Sequence, residues 1–293
     1  MNNKITTLVG MLSACTLASF ATSANAQVSN DDFSSYALGS ILQDGGHNGG
    51  AGWTSAWFGS GPIATISAGL NYPGLSSMNG SGAVSTAALA NPNILVGDNV
   101  TTVARQLTSP ITTNFAYLSF LIREDAGFGT YGGINLGAGP ANNIFIGKSE
   151  GQSVWGIESV SGAKALTNIN IVQGTTYLLV AKIKIENNAP DQIDLWVNPL
   201  TLNPLISGLG DATLTNNELG GVSNTVNYLY INNYGGYTTD FIRINTSSNG
   251  VLSFAELSGA TGVVPEPGAF GLLAGVFVTY AGFAMKRRAR NAR

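Results

Sequence analysis

A chain of 293 residues with 16 acidic and 13 basic side chains, one cysteine and one histidine excludes several classes of protein at once. It cannot build a disulfide framework or a Cys/His zinc site, and its acidity argues against nucleic acid as a partner. Glycine, present 38 times, interrupts nearly every stretch long enough for a helix, while aromatic and β-branched residues are too frequent for a disordered chain.

Residues 1–26 read as a signal peptide. Lys4 gives a positive start, residues 5–20 are mostly apolar, and Ala24-Asn25-Ala26 is an A-x-A site with cleavage before Gln27. Signal peptidase is the partner this implies. Leu12-Ser13-Ala14-Cys15 offers a second reading as a lipobox with Cys15 lipidated. The residues after Cys15 stay apolar instead of forming a polar tether, which favours cleavage after Ala26. That cleavage removes the only cysteine. The ectodomain, residues 27–257, keeps seven basic and fifteen acidic residues, a charge near −8. Anionic polymers are therefore poor electrostatic partners, whereas a neutral glycan or a cation-bridged contact is allowed.

Strands are predicted at residues 64–70, 81–88, 101–107, 115–123, 144–147, 154–159, 227–232 and 241–244, with Gly, Asn and Pro between them. Many strands separated by turn chemistry indicate a sandwich or barrel. The clearest strand is 176–186. Tyr177, Leu179, Ala181, Ile183 and Ile185 share one face, and the other face turns polar along its length, the pattern of a half-buried antiparallel strand. A turn at 187–191 leads to a second alternating strand at 192–198, so the two form a hairpin. Residues 215–219 read as a short helix, with Thr215 placed to cap it and Glu218 three residues on. The Gly-rich stretch 127–139 lacks the lysine and following helix of a phosphate loop.

Four sets of side chains are candidates for chemistry. Asp31, Asp32 and Asp44 near the start and Asp240 near the end would supply oxygen ligands to calcium if the terminal strands meet, although no D-x-D-x-D-G loop occurs. No other cofactor is implied. His47 sits in a glycine-rich loop, and a catalytic triad would have to use it without a G-x-S-x-G elbow. Glycoside hydrolysis needs two carboxylates flanking one bond. Glu124 and Asp125 are adjacent, and Asp191 and Asp194 are three apart, so each pair faces opposite sides of a strand. The chain is therefore not expected to be an enzyme. Among the tryptophans, Trp53, Trp57 and Trp155 read as packing residues. Trp196 points away from Ile193, Leu195 and Val197, beside Asp194 and Asn198, and is the candidate platform for a sugar ring.

Residues 258–264 form a linker to the tail. There Pro265-Glu266-Pro267 precedes 18 uncharged residues, 268–285, about 27 Å of helix at roughly 1.5 Å per residue. Lys286, Arg287, Arg288, Arg290 and Arg293 follow as a basic stop, which belongs on the cytoplasmic side and leaves the body of the chain outside. These three parts could serve as a simple membrane anchor.

The tail, residues 265–293, resembles the PEP-CTERM sorting domain of Gram-negative bacteria. That resemblance implies recognition by an exosortase, removal of the tail and transfer to the cell surface, in bacteria that make exopolysaccharide. A second resemblance rests on Asp32-Phe33, Tyr36, Gly49-Gly50-Ala51-Gly52-Trp53 and Trp57, on the hairpin ending Asp194-Leu195-Trp196-Val197-Asn198-Pro199, and on Asp240-Phe241-Ile242-Arg243-Ile244. These segments are similar to concanavalin A-like, laminin-G-like domains. They imply an all-β, antiparallel jelly-roll sandwich with one concave sheet. The expectation is an exported, exosortase-sorted surface protein with a structural or adhesive role in an exopolysaccharide matrix. The alternatives are a lectin-like glycan-binding module and a carbohydrate-active enzyme.

Overall fold

Apolar residues at every second position build the sheets of this molecule. The computed structural model describes residues 26–60, 64–72, 82–86, 100–112, 114–139, 142–186, 190–199, 205–206, 210–216, 225–247 and 252–253. The signal peptide up to Asn25, the linker, the sorting motif, the apolar segment 268–285 and the basic stop lie outside these residues.

The first strands are β1 (Ala26–Asp31), β2 (Phe58–Ser60), β3 (Thr65–Ser67) and β4 (Ala83–Ser85), with a 3-10 turn at Leu42–Asp44. Next come β5 (Val100–Ile111), β6 (Asn114–Gly139), β7 (Asn142–Lys148), β8 (Val154–Ser159) and β9 (Lys164–Asn170). The last are β10 (Thr176–Ile185), β11 (Asp191–Val197), β12 (Leu205–Ile206), β13 (Ala212–Asn216), β14 (Val226–Ser247) and β15 (Leu252–Ser253). Every pairing is antiparallel, and β12 and β15 pair only with each other.

Two strands serve both layers of a sandwich. The first half of β6 pairs with β10, and the second half pairs with β7. The two long strands stay paired with each other throughout, Ser247 against Phe115 at one end and Tyr228 against Gly137 at the other. One layer therefore runs β13–β11–β10–β6–β14, with β1 and β4 beyond β14 and β3 beside β4. The other runs β9–β8–β7–β6–β14–β5–β2. The register breaks where the pair bends from one layer to the other, between Tyr234 and Tyr237. The Tyr237 ring is tucked under this bend, 2.6 Å from where a Cβ at Gly132 would stand.

The core lies between the layers. Leu118, Phe120, Ile122, Leu179, Ala181, Ile183 and Leu195 meet Ile134, Leu136, Ile146, Trp155, Ile157, Leu229 and Ile231. A second apolar cluster sits on the outer side of the first layer and contains Leu70, Tyr117, Leu121, Leu178, Val180 and Phe241. Strand β10 is therefore buried on both faces for most of its length, with only Lys184 exposed, and is not the half-buried strand its polar end implied. The start of the helix expected at 215–219 is also corrected, while residues 217–219 lie outside the described residues. Thr215 and Asn216 belong to β13 and pair with Gln192 and Asp191, because an edge strand beside β11 satisfies their backbone groups better than an isolated turn of helix. The Gly-rich stretch 127–139 belongs to strand β6. Gly133 and Gly147 face each other across β6 and β7 so closely that a Cβ on Gly133 would overlap the Ile146 carbonyl and stand 2.8 Å from Gly147 Cα.

Candidate functional site

Because Ile134, Leu136, Ile144, Ile146, Leu229 and Ile231 point inward, their neighbours in sequence point outward. One cross-strand row on the outer face of the second layer reads Tyr230, Asn135, Phe145, Glu158. The adjacent row reads Asn232, Gly133, Gly147, Gly156 and raises almost no side chain. Beyond that bare row stands Tyr131, paired with Tyr234. A cavity of about 300 Å³ opens here, lined by Tyr131, Asn135, Asn143, Phe145, Ser149, Glu150 and Glu158 among others. Its walls are aromatic: the Tyr131 and Phe145 rings meet edge to face at 6.1 Å, and Tyr131 leans on Tyr234 at 5.8 Å.

An amide ladder runs along the cavity. Thr102 Oγ1 donates to Asn232 Oδ1 (2.6 Å), and Asn232 Nδ2 donates to Asn135 Oδ1 (3.0 Å). Asn135 Nδ2 then donates to Asn143 Oδ1 (2.5 Å), and Asn143 Nδ2 to the Gly139 carbonyl (3.3 Å). Each amide carries two N–H donors and two acceptor lone pairs. The ladder uses one of each and fixes which way every amide faces. Ser149 Oγ is buried and has no hydrogen-bond partner among the described residues. Burial first, then the Glu150 carboxylate and Tyr234, push the Tyr131 phenol above its ordinary value, so it is a hydrogen-bond donor at neutral pH. Oriented amides, an unpartnered hydroxyl and aromatic walls suit a sugar, whose hydroxyls both donate and accept and whose ring has an apolar face.

The sequence-predicted residues lie elsewhere. Trp196 is on the outer side of the first layer, half-buried, with Lys182 Nζ 5.5 Å from its ring centre. Asp194 is fully buried and accepts from Thr213 Oγ1 (2.6 Å), Gln192 Nε2 and Lys182 Nζ (3.2 Å). Asn198, at φ 50°, ends the hairpin by exchanging hydrogen bonds with the Leu178 backbone. The structure thus brings the three to one region but commits Asp194 and Asn198 to contacts within the chain. Glu124 bonds Lys148 (2.8 Å), while Asp125 bonds Arg123 (2.7 Å) and Thr238 (2.7 Å).

The terminal strands do meet, Asp31 opposite Ile242. Asp31 is nevertheless occupied. Its Oδ2 accepts from Arg105 Nη1 (2.7 Å), Tyr36 OH (2.7 Å) and Trp57 Nε1 (2.9 Å), and its Oδ1 from the Phe33 N–H. Burial raises the Asp31 carboxyl and lowers the Arg105 guanidinium, and their mutual attraction opposes both shifts. Arg105 also donates to the Gly49 and Ser55 carbonyls and lies over the Trp53 and Trp57 rings at 5.0 and 5.5 Å. Gly50 and Gly52 have φ values of 74° and 81° and lie against β1 with no room for a Cβ, which lays the loop over this pair. His47 packs edge to face on Tyr36 at 4.7 Å. Asp32 accepts from Ser34, and Asp44 is exposed. Among the described residues, no three His, Cys, Asp or Glu side chains gather as a metal would need. Sequence reasoning misses Arg105; the one signal for it is that it shares the inward face of its strand with Val103 and Leu107.

Asp240 accepts N–H bonds from Leu70 (2.8 Å) and Phe241 (2.6 Å). Burial outweighs both and pushes the carboxyl from 3.8 up to about 8, with the Asp32 and Asp31 charges adding to the rise. Across that interval the folded chain holds a proton that the unfolded chain has released. The contribution is complete below about pH 4 and is lost as pH rises towards 8. Urea unfolding is expected to show stability falling as pH rises through that window. The decline should be much shallower in Asp240→Asn.

No protein-family model matches the chain, and no curated protein matches it. Several solved structures resemble it. Domain 4 of AbnA, a GH43 extracellular arabinanase from Geobacillus stearothermophilus in complex with arabinotriose, is 12% identical with a TM-score of 0.46, over 80% of this chain and 98% of that one. Cellulose induced protein Cip1 is 12% identical with a TM-score of 0.41, over 75% and 96%. The endo-β-1,4-glucuronan lyase from the fungus Trichoderma reesei is 11% identical with a TM-score of 0.42, over 72% and 96%.

Proposed function

We propose that this chain is an exported cell-surface protein whose sandwich, of the concanavalin A-like jelly-roll kind, holds a glycan on the outer face of its second layer in an adhesive or structural role. The observation that carries this reading is the cavity lined by Tyr131 and Phe145, where an oriented amide ladder runs beside aromatic walls. The role is not catalytic: purified protein should release no reducing sugar from the polymer it binds. The test is retention of the full-length chain, in detergent, on insoluble polysaccharides. Wild-type protein should be retained by at least one, and Asn135→Ala, which cuts the ladder, should weaken retention about tenfold. Equal retention of the variant, or no retention on any polymer, would remove the reading.

Export and sorting belong to the same proposal. Signal peptidase acts before Gln27, close to where β1 begins at Ala26. An exosortase then acts at Pro265-Glu266-Pro267 while residues 268–285 and the basic stop hold the chain in the inner membrane of a Gram-negative cell. The mature protein passes to the exopolysaccharide-bearing surface. Deleting residues 265–293 is expected to move the protein from the surface fraction into periplasm or medium. Undiminished surface display of the deletion would contradict the sorting reading.

A further inference from the structure

We infer that the sugar this cavity selects carries a free amine, so that its ligand class is an amino sugar and not a neutral sugar or a uronic acid. The inference rests on the glycan reading of the same cavity and names its chemistry. The lining includes two carboxylates, Glu150 and Glu158, and no cation. Nearby cations are already engaged. Lys148 Nζ bonds Glu124 Oε2 (2.8 Å) and the Gly129 carbonyl (3.0 Å), and Lys164 pairs with Glu158 at 3.3 Å. Glu150 is exposed at the turn after β7 and has no ion-pair partner among the described residues. The cavity therefore presents one unmatched negative charge, with the acceptor oxygen of Ser149, unpartnered and buried, in the adjacent residue. An ammonium offers three donors and needs acceptors of this kind. The Tyr131 and Phe145 rings favour a cation as well as the apolar face of a pyranose. A uronic acid would bring its carboxylate toward Glu150 on an ectodomain that is already acidic. The volume, at the small end of the roughly 300–1,000 Å³ range of ligand pockets, suits one or two rings at a chain end.

Calorimetry of the full-length chain in detergent with three probes tests the inference: a glucosamine hexamer, its N-acetylated counterpart and a galacturonic acid hexamer. The glucosamine hexamer is expected to bind at least tenfold more tightly than the N-acetylated one, and the galacturonate hexamer most weakly. Raising salt should shrink the preference, since Glu150 is exposed and screened. Glu150→Gln should reduce it below threefold, and Tyr131→Ala, which leaves the charge untouched, should weaken glucosamine binding about tenfold. Equal or tighter binding of the N-acetylated or galacturonate hexamer would overturn the amine and leave glycan binding standing. Glucosamine binding that survives Tyr131→Ala unchanged would be general attraction to an acidic surface and would also overturn it. Failure of all three probes to bind would overturn the amine, whereas the glycan reading falls if no insoluble polysaccharide retains the protein.

Discussion

Replacing Arg105 with alanine is expected to destabilise the sandwich by about 3–5 kcal/mol, the usual cost of leaving one half of a buried ion pair alone. Arg105 and Asp31 are each 1% exposed. The variant strands the Asp31 charge, leaves the Gly49 and Ser55 carbonyls short of donors, and removes a cation from beside Trp53 and Trp57. In a domain of this size 1 kcal/mol corresponds to roughly 2–4 °C, so the melting temperature should fall by about 10 °C. Arg105→Lys should lie between the two, because an ammonium can reach Asp31 but has no planar fork to serve both carbonyls. Equilibrium unfolding followed by tryptophan fluorescence measures this directly, since two of the four tryptophans touch the guanidinium. A loss below about 1 kcal/mol would mean that the pair has been replaced by water at little cost.

Gly133→Val is expected to damage fold and site together. A side chain at Gly133 has no free space, since its Cβ would meet the backbone of Ile146 and Gly147 on β7 and no flexible side chain is there to move aside. Forcing one in costs at least the 1–3 kcal/mol of overpacking and parts β6 from β7. The parting separates Asn135 from Asn143 and Tyr131 from Phe145, so glycan binding should disappear at temperatures where the protein is still folded. Gly139→Ala, on the same strand with nothing within 4 Å of its Cβ, should leave both properties intact. Equal behaviour of the two variants would argue against close backbone approach as the reason for these glycines.

Sequence periodicity foretells much of this architecture because it needs only local information. Strand β8 falls at Val154 to Ser159 as expected, and β10 and β11 pair antiparallel as the expected hairpin does, Lys182 opposite Asp194. Much of what the sequence does not show depends on a partner far along the chain. Arg105 and Asp31 are separated by 74 residues, so in sequence an inward-facing arginine looks like a solvated one. Glycine opposes strands on average, while at Gly133 and Gly147 glycine alone lets β6 and β7 approach. The cavity is hidden for the same reason. Asn135, Asn143 and Asn232 are spread over almost a hundred residues, and only the register of β14, β6 and β7 lines up their amides. The alternation of Tyr228 and Tyr230 with Leu229 and Ile231 is a signal for this face, but nothing local distinguishes it from the face that carries Trp196.

The location of the sugar is the central claim, and a crystal structure of the protein soaked with a saccharide that it retains tests it most directly. The predicted result is a sugar ring packed against the Tyr131 and Phe145 side chains, hydrogen-bonded to Asn135 or Asn143. A ring stacked on Trp196, on the opposite side of the sandwich, would contradict it.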